Sequence, residues 1–235
     1  MILTVDFHAH ILPGIDDGSP TPEESIEMIR LEQAAGVNKI ILTPHFYPQQ
    51  MFPSEFIEKR QEALDRLLSA IPADMNIPQL IPGAEVLFMP GMSQWEQLDS
   101  LTIANTKYIM IEMPFSKWND SAFFELKLIH DKRGLKPIIA HIERYLPVYF
   151  AHSFLKRISE LPVLLQSNCE FFADQRTRRT ALKLVKAKKI QLIGTDCHSA
   201  GWRAPNIAEA REILLKNIDI RTLEFFKKQE DEFFR

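Results

Sequence analysis

Short apolar runs rich in β-branched residues alternate with longer amphipathic stretches along the whole chain. Runs of the first kind read as buried strands and those of the second as helices. The strands are expected at 2–7, 39–43, 79–84, 108–112, 136–140, 163–166 and 190–194. Helices are expected near 22–35, 54–70, 120–133, 147–160, 175–188, 206–216 and 220–233. The first helix carries clear punctuation: Thr21 as N-cap, Pro22 at its first position, acids in the first turn and Gly36 as its stop. Seven strands alternating with helices predict an α/β fold with a parallel sheet, closed or nearly closed into a barrel. No linker, repeat or low-complexity stretch interrupts the alternation, so residues 1–235 are expected to form one domain.

Composition narrows the partners. The chain has 235 residues, 46% of them hydrophobic, and a formal net charge of −3. Nucleic-acid binders show a basic excess or stripe, so a nucleic-acid partner is disfavoured. Two cysteines, Cys169 and Cys197, are too few for a disulfide framework and lack zinc-finger spacing. No signal-like segment opens the chain and no apolar run is long enough for a membrane span. A cytoplasmic protein without membrane insertion is expected.

The chemistry-bearing residues fall where the strands end. His8 and His10 are two apart at the end of the first strand and share a face by its period of two. Asp16-Asp17-Gly18 follows in a loop, and Asp17 is the chosen ligand candidate. Thr43-Pro44-His45, Glu85, Glu112, Ala140-His141 and Asp196-Cys197-His198 each follow or end a different strand. In an α/β barrel those ends converge on one mouth, so residues nearly two hundred positions apart meet. Acids so placed are costly to bury unless paired or metal-bound. His8, His10, Asp17, His45, Glu85, Glu112, His141, Asp196 and His198 offer more nitrogen and oxygen donors than one ion needs. A multinuclear metal-dependent hydrolase is the reading. Arg144 is a cation at the same mouth, and Arg203 is within reach of it.

Other residues are set aside. His130 and His152 fall inside helical patterns without acids in motif positions and read as filler. Cys169 has Gln175 where a cysteine phosphatase (C-x5-R) has its arginine. Cys197 has Arg203 at that spacing, but it sits between two ligand candidates with its own side chain expected to point away, and no Gly-rich anion loop follows it. Thiol catalysis is therefore not expected. Phe46 and Phe52, in a loop after a ligand candidate, are the aromatic pair expected to line a peptide-docking rim, with Phe46 offered as a substrate contact. The phenylalanines at 225–226 and 233–234 are expected to pack.

These elements, in this order, resemble the PHP (polymerase and histidinol phosphatase) superfamily. Within it the sequence is most similar to bacterial capsule- and exopolysaccharide-type protein tyrosine phosphatases. The likeness rests on Asp6-Phe7-His8-Ala9-His10-Ile11, Asp16-Asp17-Gly18, Ala140-His141-Ile142-Glu143-Arg144-Tyr145 and Asp196-Cys197-His198 with Arg203. It spans residues 4 to 205.

The resemblance implies a distorted (β/α)7 barrel and three metal sites: His8, His10, Glu85 and Asp196; Glu85 again, with Glu112 and His141; and Asp17, His45 and His198. It implies manganese, with iron or zinc as alternatives, and makes Arg144 and Arg203 the phosphate-binding, catalytic arginines. Phe46, Ile142 and Ser199 depart from the family pattern without removing a ligand. The implied activity is hydrolysis of phosphotyrosine, on a bacterial tyrosine autokinase that controls polysaccharide synthesis. A histidinol-phosphate phosphatase and a non-catalytic, metal-bearing kinase regulator are the alternatives.

Overall fold

The structure, a computed structural model, describes residues 2–148 and 151–235, and of residues 151 and 152 the backbone alone. His152 therefore lies outside the described side chains. The strands are β1 (Val5–Ala9), β2 (Lys39–Leu42), β3 (His45–Phe46), β4 (Gln79–Pro82), β5 (Glu85–Leu87), β6 (Tyr108–Glu112), β7 (Lys136–Ile139), β8 (Leu164–Asn168) and β9 (Leu192–Gly194). Every pairing among them is parallel, in the orders β1-β2-β4 and β3-β5-β6-β7-β8-β9. The result is a mixed α/β fold around a curled parallel sheet.

The seven expected strands are present, and two of them are broken in the middle. The second continues past Thr43-Pro44 into β3, and the third past Gly83-Ala84 into β5. The short outer pieces carry His45 and Glu85. Proline has no N–H to give to a ladder, which accounts for the first break.

Helices α1 (Pro22–Ala34), α2 (Pro53–Ala70), α3 (Asp120–Arg133), α4 (Ala151–Ile158), α5 (Glu170–Ala173), α6 (Arg178–Lys186), α7 (Ile207–Asn217) and α8 (Ile220–Phe233) complete the fold. Thr21 caps α1 by accepting the Glu24 N–H, and Asn119 caps α3 through the Ala122 N–H. Among the described residues no helix is long and apolar enough to cross a membrane.

Strand alternation sorts the core into two layers. Ile41, Met110 and Ile138 join Val5, Phe7, Ile81 and Leu192 in the cluster on the concave side. Their neighbours Ile40, Leu42, Ile109, Ile111 and Ile139 pack outward with the helices. The concave cluster is plugged at one end by Phe233 of α8, stacked on Tyr108 at 4.1 Å and edge-on to Phe7 at 4.9 Å. Burying such a ring is worth about 1.5–3 kcal/mol. The other end of the curl is polar.

Candidate metal centre

The polar end begins with an irregularity in β1. The β1–β2 register shifts between Asp6 and Ala9, and such a bulge re-aims the side chains it carries. Phe7 joins the concave apolar layer and Ala9 the outer one, while His8 and His10 both reach the mouth. Two glycines make room for them. A Cβ on Gly194 would lie 2.6 Å from the His8 nitrogen, and one on Gly18 would lie 2.2 Å from the His10 carbonyl oxygen. No side chain fits at either place.

Eight of the nine candidates are buried or nearly so, and all gather around Glu85. One of its oxygens, Oε2, lies 3.2 Å from His8 Nε2, 3.3 Å from His10 Nε2 and 3.1 Å from His45 Nδ1. The other, Oε1, lies 2.8 Å from His141 Nε2, which is 3.4 Å from Glu112 Oε1. Asp196 Oδ1 stands 3.6 and 3.5 Å from the Nε2 atoms of His8 and His10. The exposed Asp17 places Oδ1 3.5 Å from His45 Nε2 and 3.4 Å from His198 Nε2. His141 and Asp196 reach these positions with left-handed backbones, φ 33° and 55°. Strain of this kind collects at functional sites.

Hydrogen bonding decides what this arrangement can hold. His10 Nδ1 faces Asp16 Oδ2 at 2.8 Å, and His8 Nδ1 faces the amide oxygen of Gln166 at 3.3 Å. That oxygen also accepts the His141 N–H, and the Gln166 nitrogen donates to Asn168 Oδ1, which fixes how the amide is turned. Both Nδ1 atoms therefore carry the proton, and both Nε2 atoms point bare lone pairs inward, 3.0 Å from each other and toward two carboxylates. A cluster made only of acceptors calls for a cation. Neighbouring ligands on one ion, with bonds of about 2.1 Å, lie about 3.0–3.4 Å apart, close to the spacings seen here. The residues fit divalent ions.

Without such ions, protons serve. Burial alone would lower His10, but its hydrogen bonds to the Asp16 and Glu85 carboxylates, with their charges, outweigh it and push its pKa up to about 10. His141 is likewise raised, to about 9, by Glu112 and Glu85 against the same burial. Burial opposes the ionisation of Glu85, yet the surrounding histidines hold it well below the usual carboxylate range. Asp196, next to His8 and His10, drops to about 2. His198 goes the other way, lowered to about 4 by burial and the charge of His10.

The two arginines meet at one carboxylate oxygen. Arg144 Nη2 and Arg203 Nη2 lie 2.7 and 2.8 Å from Asp196 Oδ2. Arg144 thus pairs with Asp196, and Glu143 instead accepts the Asn168 N–H at 3.1 Å. The arginines line an open cavity of about 530 Å³ with Glu143, Asn168, Thr195 and Trp202.

Phe46 corrects an expectation. It alternates with His45 on β3, so with His45 facing the mouth it turns to the other side and is buried against Phe56 and Trp95. It is not placed to touch a substrate. Trp118 is also buried, whereas Phe52 and Phe115 are exposed.

Three residues with a part in the site were missed. Asp16, passed over for Asp17, accepts from His10 and from the His45 and Gly18 N–H groups. Gln166 and Asn168 hold His8, His141 and Asp196 from β8, the strand given no candidate; Asn168 Nδ2 donates to Asp196 Oδ2 at 2.7 Å. Two polar residues two apart at the end of an apolar strand repeat the His8/His10 pattern, and that signal was available.

A curled parallel sheet gathering histidines and carboxylates at the carboxyl ends of its strands defines the class: an α/β scaffold whose mouth groups side chains that could hold metal ions. The chain belongs to the family described as capsular polysaccharide synthesis, CpsB/CapC, which it matches over residues 4–229. It is 31% identical over 220 residues to the tyrosine-protein phosphatase YwqE of Bacillus subtilis, covering 90% of this chain and 84% of that one. It is 26% identical over 231 residues to the tyrosine-protein phosphatase CpsB of Streptococcus agalactiae, covering 91% and 90%. Among solved structures it is similar to one from the B. subtilis YwqE and Streptococcus pneumoniae CpsB pair, described as metal-dependent tyrosine phosphatases. That match has a TM-score of 0.83 and 27% identity over 98% of this chain and 94% of the other. A phosphotriesterase homology protein of Escherichia coli shares the fold, with a TM-score of 0.55 at 11% identity.

Proposed function

We propose that this protein is a metal-dependent protein-tyrosine phosphatase, a phosphoric monoester hydrolase, acting in capsular polysaccharide synthesis. The observation that carries the reading is the meeting of an all-acceptor histidine–carboxylate cluster with two arginines at Asp196. The named phosphatases similar to this chain support it.

In this reading His8, His10, Glu85 and Asp196 hold one ion; Glu85, Glu112 and His141 a second; Asp17, His45 and His198 a third. Glu85, with Oε2 facing His8 and His10 and Oε1 facing His141, is placed so that it would contribute to holding both of the first two ions. The N/O donor set suits manganese, with iron or zinc also compatible. Bound ions of this kind supply Lewis acidity, which acidifies water and neutralises phosphoryl charge.

The chain's own residues do the rest. Arg144 and Arg203 bind the phosphoryl oxygens, since the planar guanidinium fork matches phosphate better than lysine does. Asp196, held by Asn168, sets where the two forks point. In-line displacement places charge on the equatorial oxygens, and the arginines stabilise it there. The departing phenolate has a pKa of about 10 and needs less protonation than an alkoxide.

The substrate we infer is a phosphotyrosine protein, a bacterial tyrosine kinase of the polysaccharide machinery, met in the cytoplasm. We also read residues 1–235 as one domain and the sheet as a distorted (β/α)7 barrel. The bonds Asp196 N–H to His8 O (2.7 Å) and His10 N–H to Cys197 O (2.9 Å) support closure between β1 and β9. The test is phosphate release by manganese-loaded protein from a phosphotyrosine peptide against histidinol phosphate. Preference for the peptide, abolished by chelator, is expected. Preference for histidinol phosphate, or no release from either, refutes the reading.

A further inference from the structure

Two large aromatic side chains stand open to solvent beside the arginine pair. Trp202 is 94% exposed and Phe115 54%. Trp202 immediately precedes Arg203 in the loop after β9 and lines the same cavity as Arg144, Arg203, Asp196 and Asn168. Phe115, in the loop after β6, stacks on Tyr145 at 5.7 Å and 19°, lies 5.8 Å from His141 and has the Arg144 guanidinium 5.9 Å above its ring. Each guanidinium thus has an exposed aromatic neighbour, in space for Arg144 and along the chain for Arg203.

An indole left almost wholly in water gives up the burial that the other two tryptophans obtain. Trp118 is buried and Trp95 packs on the core.

We propose that Trp202 and Phe115 are aromatic walls that receive the aryl ring of the substrate's phosphate ester, making the site select aryl over alkyl phosphates. The inference rests on the phosphatase reading above and adds to it a specificity-determining pair. A phosphoryl group held between Arg144 and Arg203 would lie in the cavity that Trp202 lines, next to the guanidinium that stands over the Phe115 ring. Aromatic pairs stack or meet edge-on at centroid separations of about 4.5–7 Å, with a gain of about threefold to tenfold in affinity per ring. An alkyl ester offers the rings no π-face.

The test uses ligands that are not hydrolysed, so that leaving-group chemistry cannot mimic ring recognition. Phenylphosphonate and methylphosphonate are titrated into the manganese-loaded full chain by calorimetry. Wild type is expected to bind the phenyl compound more tightly. In Trp202→Ala that preference is expected to shrink about threefold to tenfold, with the methylphosphonate constant and the metal content little changed. Trp202→Phe should recover most of the preference. Phe115→Leu should shrink it too, with some weakening of both ligands because Arg144 loses the ring beneath it.

An unchanged preference in Trp202→Ala, or an equal weakening of both ligands, overturns the wall. On a phosphotyrosine peptide the same variant should show a raised KM with kcat nearly constant. Failure of the phosphatase reading shows separately, as wild type that binds phosphonates but releases no phosphate from the peptide.

Discussion

Two clusters of buried carboxylates hang on β1, one at the mouth and one just beneath it, and their surroundings shift them in opposite directions. At the mouth, Glu85 and Asp196 are surrounded by imidazoles and guanidinium groups and are held ionised. Beneath, Asp6 lies close to Glu32 of α1 and to Cys197. Burial raises both carboxyls, Glu32 well above its ordinary value, and it also raises the Cys197 and Cys169 thiols. Both Glu32 oxygens are buried without a hydrogen-bond partner.

Asp6 accepts from the N–H groups of His8 and Thr195 and from the Thr195 hydroxyl. Those contacts tie together the two segments that carry His8 and Asp196. What separates the clusters is therefore which groups face the acids. Acids facing imidazoles can trade protons for metal ions, whereas acids facing backbone amides and thiols hold strands together.

The largest test of this contrast is Glu85→Gln. The shared carboxylate touches four imidazoles, so its loss is expected to cost more than the 10–100-fold that outer partners of a metal site cost. Turnover and metal content by elemental analysis should fall together. If both survive, the mouth is merely another buried acid cluster.

Next in size are Arg144→Ala and Arg203→Ala. Each should reduce turnover by about 10²–10³-fold, as the loss of a charge-stabilising donor does. Metal content should stay intact, because neither arginine is a ligand. A loss of metal in step with activity would show them to be props for Asp196 and not phosphate binders.

A smaller effect is expected from Asn168→Ala, which removes the donor to Asp196 and the acceptor of Gln166. Manganese affinity, read by competition with a chelator, should weaken about 10–100-fold while thermal stability changes little. Unaltered affinity would mean that Asp196 is positioned by the arginines alone.

Most of the scaffold was legible because α/β alternation writes itself into a single sequence. The 108–112 strand coincides with β6, and Thr21, Pro22 and Gly36 bracket α1. The convergence of the nine candidates was legible because strand ends in such folds share a mouth. Three things were not. The β1 bulge that brings His8 inward beside Phe7 leaves no mark on the hydrophobic pattern. Phe46 looked like a rim residue because its loop was taken as irregular, when it is a strand whose alternation sends His45 one way and Phe46 the other. Asp16 and Asp17 are adjacent and chemically identical, and only the fold shows that Asp16 supports His10 and the His45 backbone while Asp17 faces the His45 and His198 rings.

The smallest expected effect lies in the lower cluster, with Glu32→Gln. The folded protein keeps the Glu32 proton that the unfolded chain surrenders above its ordinary pKa of 4.5. The sign follows from linkage: this carboxyl's contribution is fully present below about pH 4.5 and is lost as pH rises toward its raised folded value. Glutamine keeps the shape and cannot ionise, so the variant should match wild type within about 1 kcal/mol at acid pH and lose less stability as pH rises. Ions at the mouth make stability pH-dependent as well, but equally in both proteins, so the difference between their urea midpoints across a pH series reports Glu32 alone. Activity should be unaffected, since Glu32 faces Asp6 and not the mouth. A midpoint difference that grows toward low pH would mean that Glu32 is ionised in the fold, and the two clusters would then be alike.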